Sequence, residues 1–414
     1  MDLIESIDLN ERIKLVNSKI PNALSFTIGF TFAIGTKDET NYPIGISHFL
    51  EHAIFRGSEN YDAKEVSFAF ESKGAYINAY TSKDSICFYV KALNHHFDDV
   101  LNLMTEIIYK PRFDKDELAK EKAVIIEEIK ATQDDYEDQI FDRIDEIVFK
   151  ESMFAEQIAG NVKSVKAITD AHIRDFHTQM LNETDLCISI VGSFEMSSVK
   201  EKISKVIPIS NSKKVIHSDV KIEKREFDFT EKLQKKAIPA FQSHLLIAAP
   251  VYSYSFEERN LLLLVNTILG EGMSSILYQN LRERLGLTYN VYSSLTLYKN
   301  FGSFYIYCGL DKRNIEDASQ EVLKQLNQLM KSGVPSELIK VGKEQLKSSL
   351  IFETENQSFV MQHNAKNLLY YSRVIKFEET LRDIDSITQE QVDKAVKSYL
   401  SVDNLFRLDY LQKK

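Results

Sequence analysis

Alternation and helical spacing of apolar positions divide the chain into strand-like and helix-like runs. Ser25-Phe-Thr-Ile-Gly-Phe-Thr-Phe-Ala-Ile-Gly35 is dense in β-branched and aromatic residues and predicts a strand. Helical spacing follows at about 44–55 and 63–73, then strand-like runs at about 75–80 and 85–93. Apolar residues then recur with helical periodicity from about 95 to 148, and Cys187-Ile-Ser-Ile-Val-Gly192 reads as a buried strand.

The same order returns in the second half. A strand is expected at 244–251, helices at about 256–269 and 274–285, strands near 289–296 and 301–309, helices from about 314 onward, and a last strand at Leu405-Phe-Arg-Leu-Asp-Tyr410. Short sequence echoes agree with this order. Ile168-Thr169 with Ile173 and Phe176 recurs as Ile387-Thr388 with Val392 and Ala395, and Glu117-Leu118 recurs as Glu337-Leu338, at offsets of 219 and 220 residues. Two offsets that agree to one residue point to an internal duplication of an α+β unit. The polar, Lys-rich stretch from Val206 to Phe227 is the candidate linker, so the expected domains are 1–214 and 215–414.

Composition narrows the classes. The chain has 414 residues, 43 % of them hydrophobic, and a formal net charge of −10. That acidic balance argues against a nucleic-acid binder or a ligand of anionic membranes, because both rely on Lys and Arg neutralising phosphates. The longest apolar runs fall far short of the ~18 to 20 residues that cross a bilayer. The N-terminus carries acidic residues where a secretory or mitochondrial leader would be basic. Cys87, Cys187 and Cys308 are widely spaced and each sits in an apolar run, which predicts reduced core thiols and a cytoplasmic location.

The candidate chemistry lies in the first half. In Ser47-His48-Phe49-Leu50-Glu51-His52 the two histidines stand at i and i+4 of a helical run, one above the other on one face. Such a pair can ligate one zinc ion, and Glu51 leans toward the same face as a base for the attacking water. This is the H-x-x-E-H arrangement. A zinc site that works on a substrate needs a third protein ligand and one open position. The helical run Glu121 to Lys130 offers Glu121, Glu127 and Glu128; Glu121 and Glu128, seven apart, share a face, while Glu127 is rotated by about 100°. Glu128 can therefore ligate while Glu121 supports from the same face.

With these residues in place the sequence resembles the pitrilysin and mitochondrial-processing-peptidase family of inverzincin metallopeptidases, in which a glutamate ligand follows the second histidine by 76 residues. Glu128 stands at that position. Gly45 to Ser58 resembles the family's motif helix and following turn, and Gly74-Ala-Tyr-Ile-Asn-Ala-Tyr-Thr-Ser82 the strand beside the metal. In the second half Gly270-Glu-Gly-Met-Ser-Ser275 resembles its glycine-rich turn, and Leu281 to Tyr289 its Arg and Tyr pair seven residues apart. The resemblance implies two homologous α+β halves, each a mixed, mostly antiparallel sheet with helices packed on it, forming a clamshell around a cleft. It implies one Zn²⁺ held by His48, His52 and Glu128, with Glu51 as general base and Glu121 supporting the ligands. Asn78, Ala79 and Tyr80 would offer a sheet edge to an extended substrate, and Arg282 and Tyr289 would reach the substrate carbonyl.

The expected activity is zinc-dependent endopeptidase cleavage of extended peptides or unfolded segments. The second half lacks a matching metal site: no histidine lies between His244 and His363, and Ser348 stands where an offset of 220 from Glu128 falls. Two readings compete with the endopeptidase, a non-catalytic scaffold subunit of a processing-peptidase-like complex and a zinc hydrolase of other substrates. The active form is left open among a monomer, a homodimer and a pair with an inactive homologue. The acidic stretch Asp134 to Asp138 suggests either a preference for basic segments or a solvated helix face.

Overall fold

The computed structural model describes residues 3–208 and 232–413, and its helices and strands fall into two compact α+β units. The expected boundary near 215 and most of the candidate linker lie outside the described residues. Each unit is built on one mixed sheet. The first sheet holds β1 (Leu3–Asp8), β2 (Ile13–Lys19), β3 (Ser25–Phe32), β4 (Tyr76–Thr81), β5 (Ile86–Leu93) and β6 (Leu186–Gly192) in the order β1-β2-β6-β3-β5-β4. The second holds β7 (Leu233–Ile238), β8 (Ser243–Val251), β9 (Asn290–Leu297), β10 (Gly302–Leu310) and β11 (Phe406–Gln412) in the order β7-β11-β8-β10-β9.

Strand by strand the two sheets agree. β2 pairs parallel with β6 as β7 does with β11, and every other neighbouring pair in both sheets is antiparallel. The duplication read from the sequence is thus present in the topology, with β1 as an addition to the first copy. The echoed residues do the same work in each copy. Thr169 and Thr388 each close a capping box at a helix start, with His172 and Gln391 as partners. Lys122 reaches the carbonyls of Lys166 and Ile168, and Lys343 those of Asp385 and Ile387.

Helices cover both faces of each sheet, and this explains why β3, β6, β8 and β10 are buried along nearly their whole length rather than on alternate residues. One cover comes from the other half of the sequence. The helix Gln357–Tyr371 belongs to the first unit and lies on β2, β3 and β6; the helix Tyr136–Val148 belongs to the second and lies on β8 and β11. Gly29 of β3 makes room for the first of these, since a Cβ there would strike the Met361 sulfur. Asn364 donates to Ser18 at 2.7 Å across the same seam.

The long helical run expected over about 95–148 is three helices, Phe97–Tyr109, Lys115–Thr132 and Tyr136–Val148. Pro111 and a left-handed Phe113 (φ 49°) break the first junction, and Asp135 starts the third helix by accepting from the backbone of Glu137 and Asp138. The expected helix at about 274–285 is largely a π-helical turn, Tyr278–Arg284. Cys87, Cys187 and Cys308 are buried free thiols. Among the described residues no helix is long and apolar enough to cross a membrane.

Candidate metal centre

Apolar spacing fixes which way the motif helix faces. In Ile46–Ile54 the residues Phe49, Leu50, Ala53 and Ile54 are buried in the first unit's core, so His48, Glu51 and His52 are left on the opposite side. The two imidazoles lie edge to face with ring centroids 4.6 Å apart. Burial, with help from the neighbouring His52, holds His48 down to about 4, so its ring is neutral near pH 7 and keeps a lone pair. Its Nδ1 is buried without a hydrogen-bond partner.

The helix Lys115–Thr132 brings two carboxylates to these rings. Glu121, with 2 % of its side chain exposed, places Oε2 3.0 Å from His52 Nδ1. A carboxylate can only accept, so Nδ1 carries the proton and His52 Nε2 is left as the donor atom. That Nε2 lies 3.7 Å from Glu128 Oε2. One atom each from His48, His52 and Glu128 lie within 4.8 Å of one another, and among the described residues no other group of three His, Cys, Asp or Glu side chains converges in this way. Two imidazoles and a carboxylate, with one ring oriented by a buried glutamate, are a donor set that fits zinc with a fourth position open.

Glu51 sits between the motif helix and β4. Thr81 Oγ1 donates to its Oε2 at 2.6 Å. Burial pushes the Glu51 carboxyl above its ordinary range, partly offset by the Thr81 bond and by His52. Sequence reading passed over Thr81, and also Arg56, whose guanidinium forms an ion pair with Glu121 Oε1. Both stand inside the stretches that resemble the family motif, at 30 and 5 positions after Glu51.

Asn78, Ala79 and Tyr80 lie on β4, the last strand of the first sheet, so among the described residues one backbone edge of this strand has no sheet neighbour. Asn78 Oδ1 accepts from the Ala79 backbone at 2.8 Å, and its amide nitrogen lies 3.3 Å from the Tyr76 hydroxyl. The Tyr80 side chain turns inward and hydrogen-bonds to the Cys87 thiol, which burial pushes up to about 12.

Arg282 and Tyr289 belong to the second unit and meet as a pair, the Arg282 guanidinium 5.5 Å from the Tyr289 ring centre and 4.9 Å from that of Tyr278. The Tyr289 side chain is 81 % exposed. In the glycine-rich turn Glu271 accepts from Asn266 and Thr267 at 2.6 and 2.8 Å, and Gly270 packs so closely on the Ser293 backbone that no side chain fits there. The acidic stretch after Asp134 has a structural occupation: besides the helix start made by Asp135, Glu137 accepts from the Tyr292 hydroxyl at 2.7 Å.

Known proteins resemble this chain along most of its length. Residues 14–162 match the family model described as insulinase, peptidase family M16, and residues 167–346 match that of the peptidase M16 inactive domain. An uncharacterised zinc protease, YmxG, of Bacillus subtilis (strain 168) is 29 % identical over 97 % of each chain. Another from Mycobacterium leprae (strain TN) is 26 % identical over 94 % of this chain and 87 % of its own. Among solved structures, a peptidase M16 inactive domain from Pseudomonas fluorescens superposes with a TM-score of 0.89 at 19 % identity, covering 100 % of this chain and 98 % of that one. A protease from Helicobacter pylori gives 0.87 at 19 % identity over the whole of both chains. With both halves matched by models of one family and the same two-unit fold in its solved members, this chain belongs to the M16 peptidases, the pitrilysin and processing-peptidase family its H-x-x-E-H motif resembles.

Proposed function

We propose that the chain is a zinc endopeptidase that hydrolyses extended peptides or unfolded protein segments. The convergence of His48, His52 and Glu128 beside the hydrogen-bonded carboxylate of Glu51 carries this reading. Zinc held by His48, His52 and Glu128 would polarise the scissile carbonyl and lower the pKa of the attacking water from 15.7 towards about 7. Glu51 takes the proton from that water and returns it to the leaving amine, a role its raised pKa suits, because a carboxylate must both accept and release a proton near neutrality. Thr81 holds the carboxylate in one orientation while it does so. Glu121 keeps His52 in the tautomer that presents Nε2, and Arg56 balances the buried charge of Glu121. The outer edge of β4 in the described sheet would offer main-chain hydrogen bonds to a substrate that adds as a strand, and this supports extended chains as the substrate class. A role for Arg282 and Tyr289 at the substrate carbonyl is proposed from the family resemblance alone.

Zinc analysis and peptide cleavage by the wild type and Glu51→Gln test the assignment. The variant is expected to keep one zinc per chain and to lose at least about 10²-fold in kcat, the scale of a general base. Cleavage of an unfolded peptide by Glu51→Gln at the wild-type rate would refute it. The scaffold reading is separated by the wild-type protein alone: a chain that binds stoichiometric zinc and cleaves denatured casein is not a passive partner.

A further inference from the structure

The motif helix cannot cap itself. Its first residues leave four backbone N–H groups without an intrahelical partner, the first helical bond running from Phe49 to the Gly45 carbonyl at 2.9 Å. Gly45, which stands at the cap position in a left-handed conformation (φ 95°), has no side chain to offer. No Cβ would fit there either, since it would come within 2.6 Å of the Ala159 carbonyl oxygen. The missing acceptor arrives from elsewhere. Glu39, in the 3₁₀ turn Thr36–Asn41, is 1 % exposed and points both carboxylate oxygens at this helix start, Oε2 accepting from Gly45 N at 2.7 Å and Oε1 from Ser47 N at 2.9 Å. A buried carboxylate is costly to keep, and this one is placed where two amide donors and the positive end of a helix meet it.

We propose that Glu39 is a positioning residue for the metal centre, fixing the start of the motif helix and through it the directions of His48, Glu51 and His52. The inference rests on the zinc reading above. The two bonds are made to Gly45 and Ser47, and Ser47 immediately precedes His48, so a shift of this turn moves the first imidazole directly. Two oxygens on one carboxylate are needed for two donors. A glutamine in its place keeps the length but offers one acceptor and turns an NH₂ group toward the other N–H. An aspartate keeps the charge but is one methylene too short to hold both.

Three readouts on Glu39→Gln test this. In the metal-free protein, amide hydrogen exchange at Gly45 and Ser47 is expected to speed up at least tenfold, with unfolding still cooperative. With Co²⁺ as the probe, the visible absorption of the bound ion is expected to change shape and affinity to fall about 10- to 100-fold, the usual scale for groups that orient ligands. In peptide cleavage, kcat is expected to fall while KM stays within twofold. Exchange rates, Co²⁺ spectrum and kcat all matching the wild type would overturn the proposal. If Glu39→Gln does not fold, Glu39→Asp carries the same three measurements, and failure of both variants to fold would make Glu39 a stability residue only and overturn it. A wild-type chain that binds Co²⁺ but cleaves nothing would sink the peptidase reading while the exchange and spectral tests of Glu39 still decide; a wild-type chain that binds no Co²⁺ would sink both.

Discussion

Glu121 shows how much a single buried residue does at this centre. It spends one oxygen on His52 and the other on Arg56, and with only 2 % of its side chain exposed it has no water to replace either partner. Glu121→Gln should therefore weaken zinc binding by about 10- to 100-fold, measured by chelator competition, with little change in KM for peptide. Glu39 contributes a second, pH-dependent signature. Burial pushes its carboxyl from an ordinary 4.5 up to about 7, with the Ser47 side chain and the two backbone donors opposing the rise and the nearby Asp38 adding to it. Between these values the folded chain holds a proton that the unfolded chain has released, so the contribution of this group to stability falls as pH rises through that window and is level above it. The full loss is about 3 kcal/mol at ~1.4 kcal/mol per unit. Glu39→Gln lacks this slope. In urea unfolding of the metal-free proteins the variant should gain on the wild type between pH 5 and pH 8, and parallel pH profiles would show that the carboxyl is not raised. At this scale the His48 and His52 pair was legible because its spacing is a property of the helix itself, and Glu128 was picked out by the family resemblance. Thr81, Arg56 and Glu39 were not, since a threonine, an arginine and a glutamate in turns and strand ends acquire meaning only from the partner that folding brings to them.

Among the elements, strands with a continuous apolar run were read within three residues, and those interrupted by charge were missed. β1 (Leu-Ile-Glu-Ser-Ile-Asp), β2 (Ile-Lys-Leu-Val-Asn-Ser-Lys) and β7 (Leu-Gln-Lys-Lys-Ala-Ile) carry charge through their length. β1 and β7 are edge strands, where charged side chains are tolerated and discourage further pairing, and β2 is covered by a seam in which Ser18 meets Asn364. Helix boundaries failed where the interruption is short: the apolar period passes through Pro111 and Asp135 almost unbroken. Close approaches between elements give a graded test. Gly29→Ala brings a Cβ against the flexible end of Met361, whereas Gly270→Ala brings one against the Ser293 backbone. The first should cost about 1 kcal/mol in denaturant unfolding and the second distinctly more, in the range of about 2 to 3 kcal/mol, because a thioether can swing aside and a strand cannot. Equal losses at the two sites would show that the glycine-rich turn yields as easily as a side chain.

For the whole molecule, the duplication was visible in the sequence but the exchange of helices was not. Nothing in the apolar pattern of Gln357–Tyr371 says that it covers β2, β3 and β6, and nothing in Tyr136–Val148 says that it covers β8 and β11. Those assignments depend on matched details far apart in the chain, such as Gln357 donating to the Ser25 carbonyl at 3.2 Å and Tyr292 donating to Glu137. A chain cut between residues 208 and 232 would yield two fragments, each with a sheet stripped of one cover. Each alone is expected to be insoluble or unfolded by circular dichroism, and the two co-expressed should recover a soluble 1:1 complex. A first fragment that folds on its own would show that the borrowed helix is dispensable. The exchange also bears on descent. If one half once existed alone, its own helix could not close its own sheet by this arrangement, so a functional ancestor would have been a pair of identical chains trading helices. Joining the two copies end to end would have made that trade permanent, and would have freed one copy to lose its histidines without losing its grip on the other.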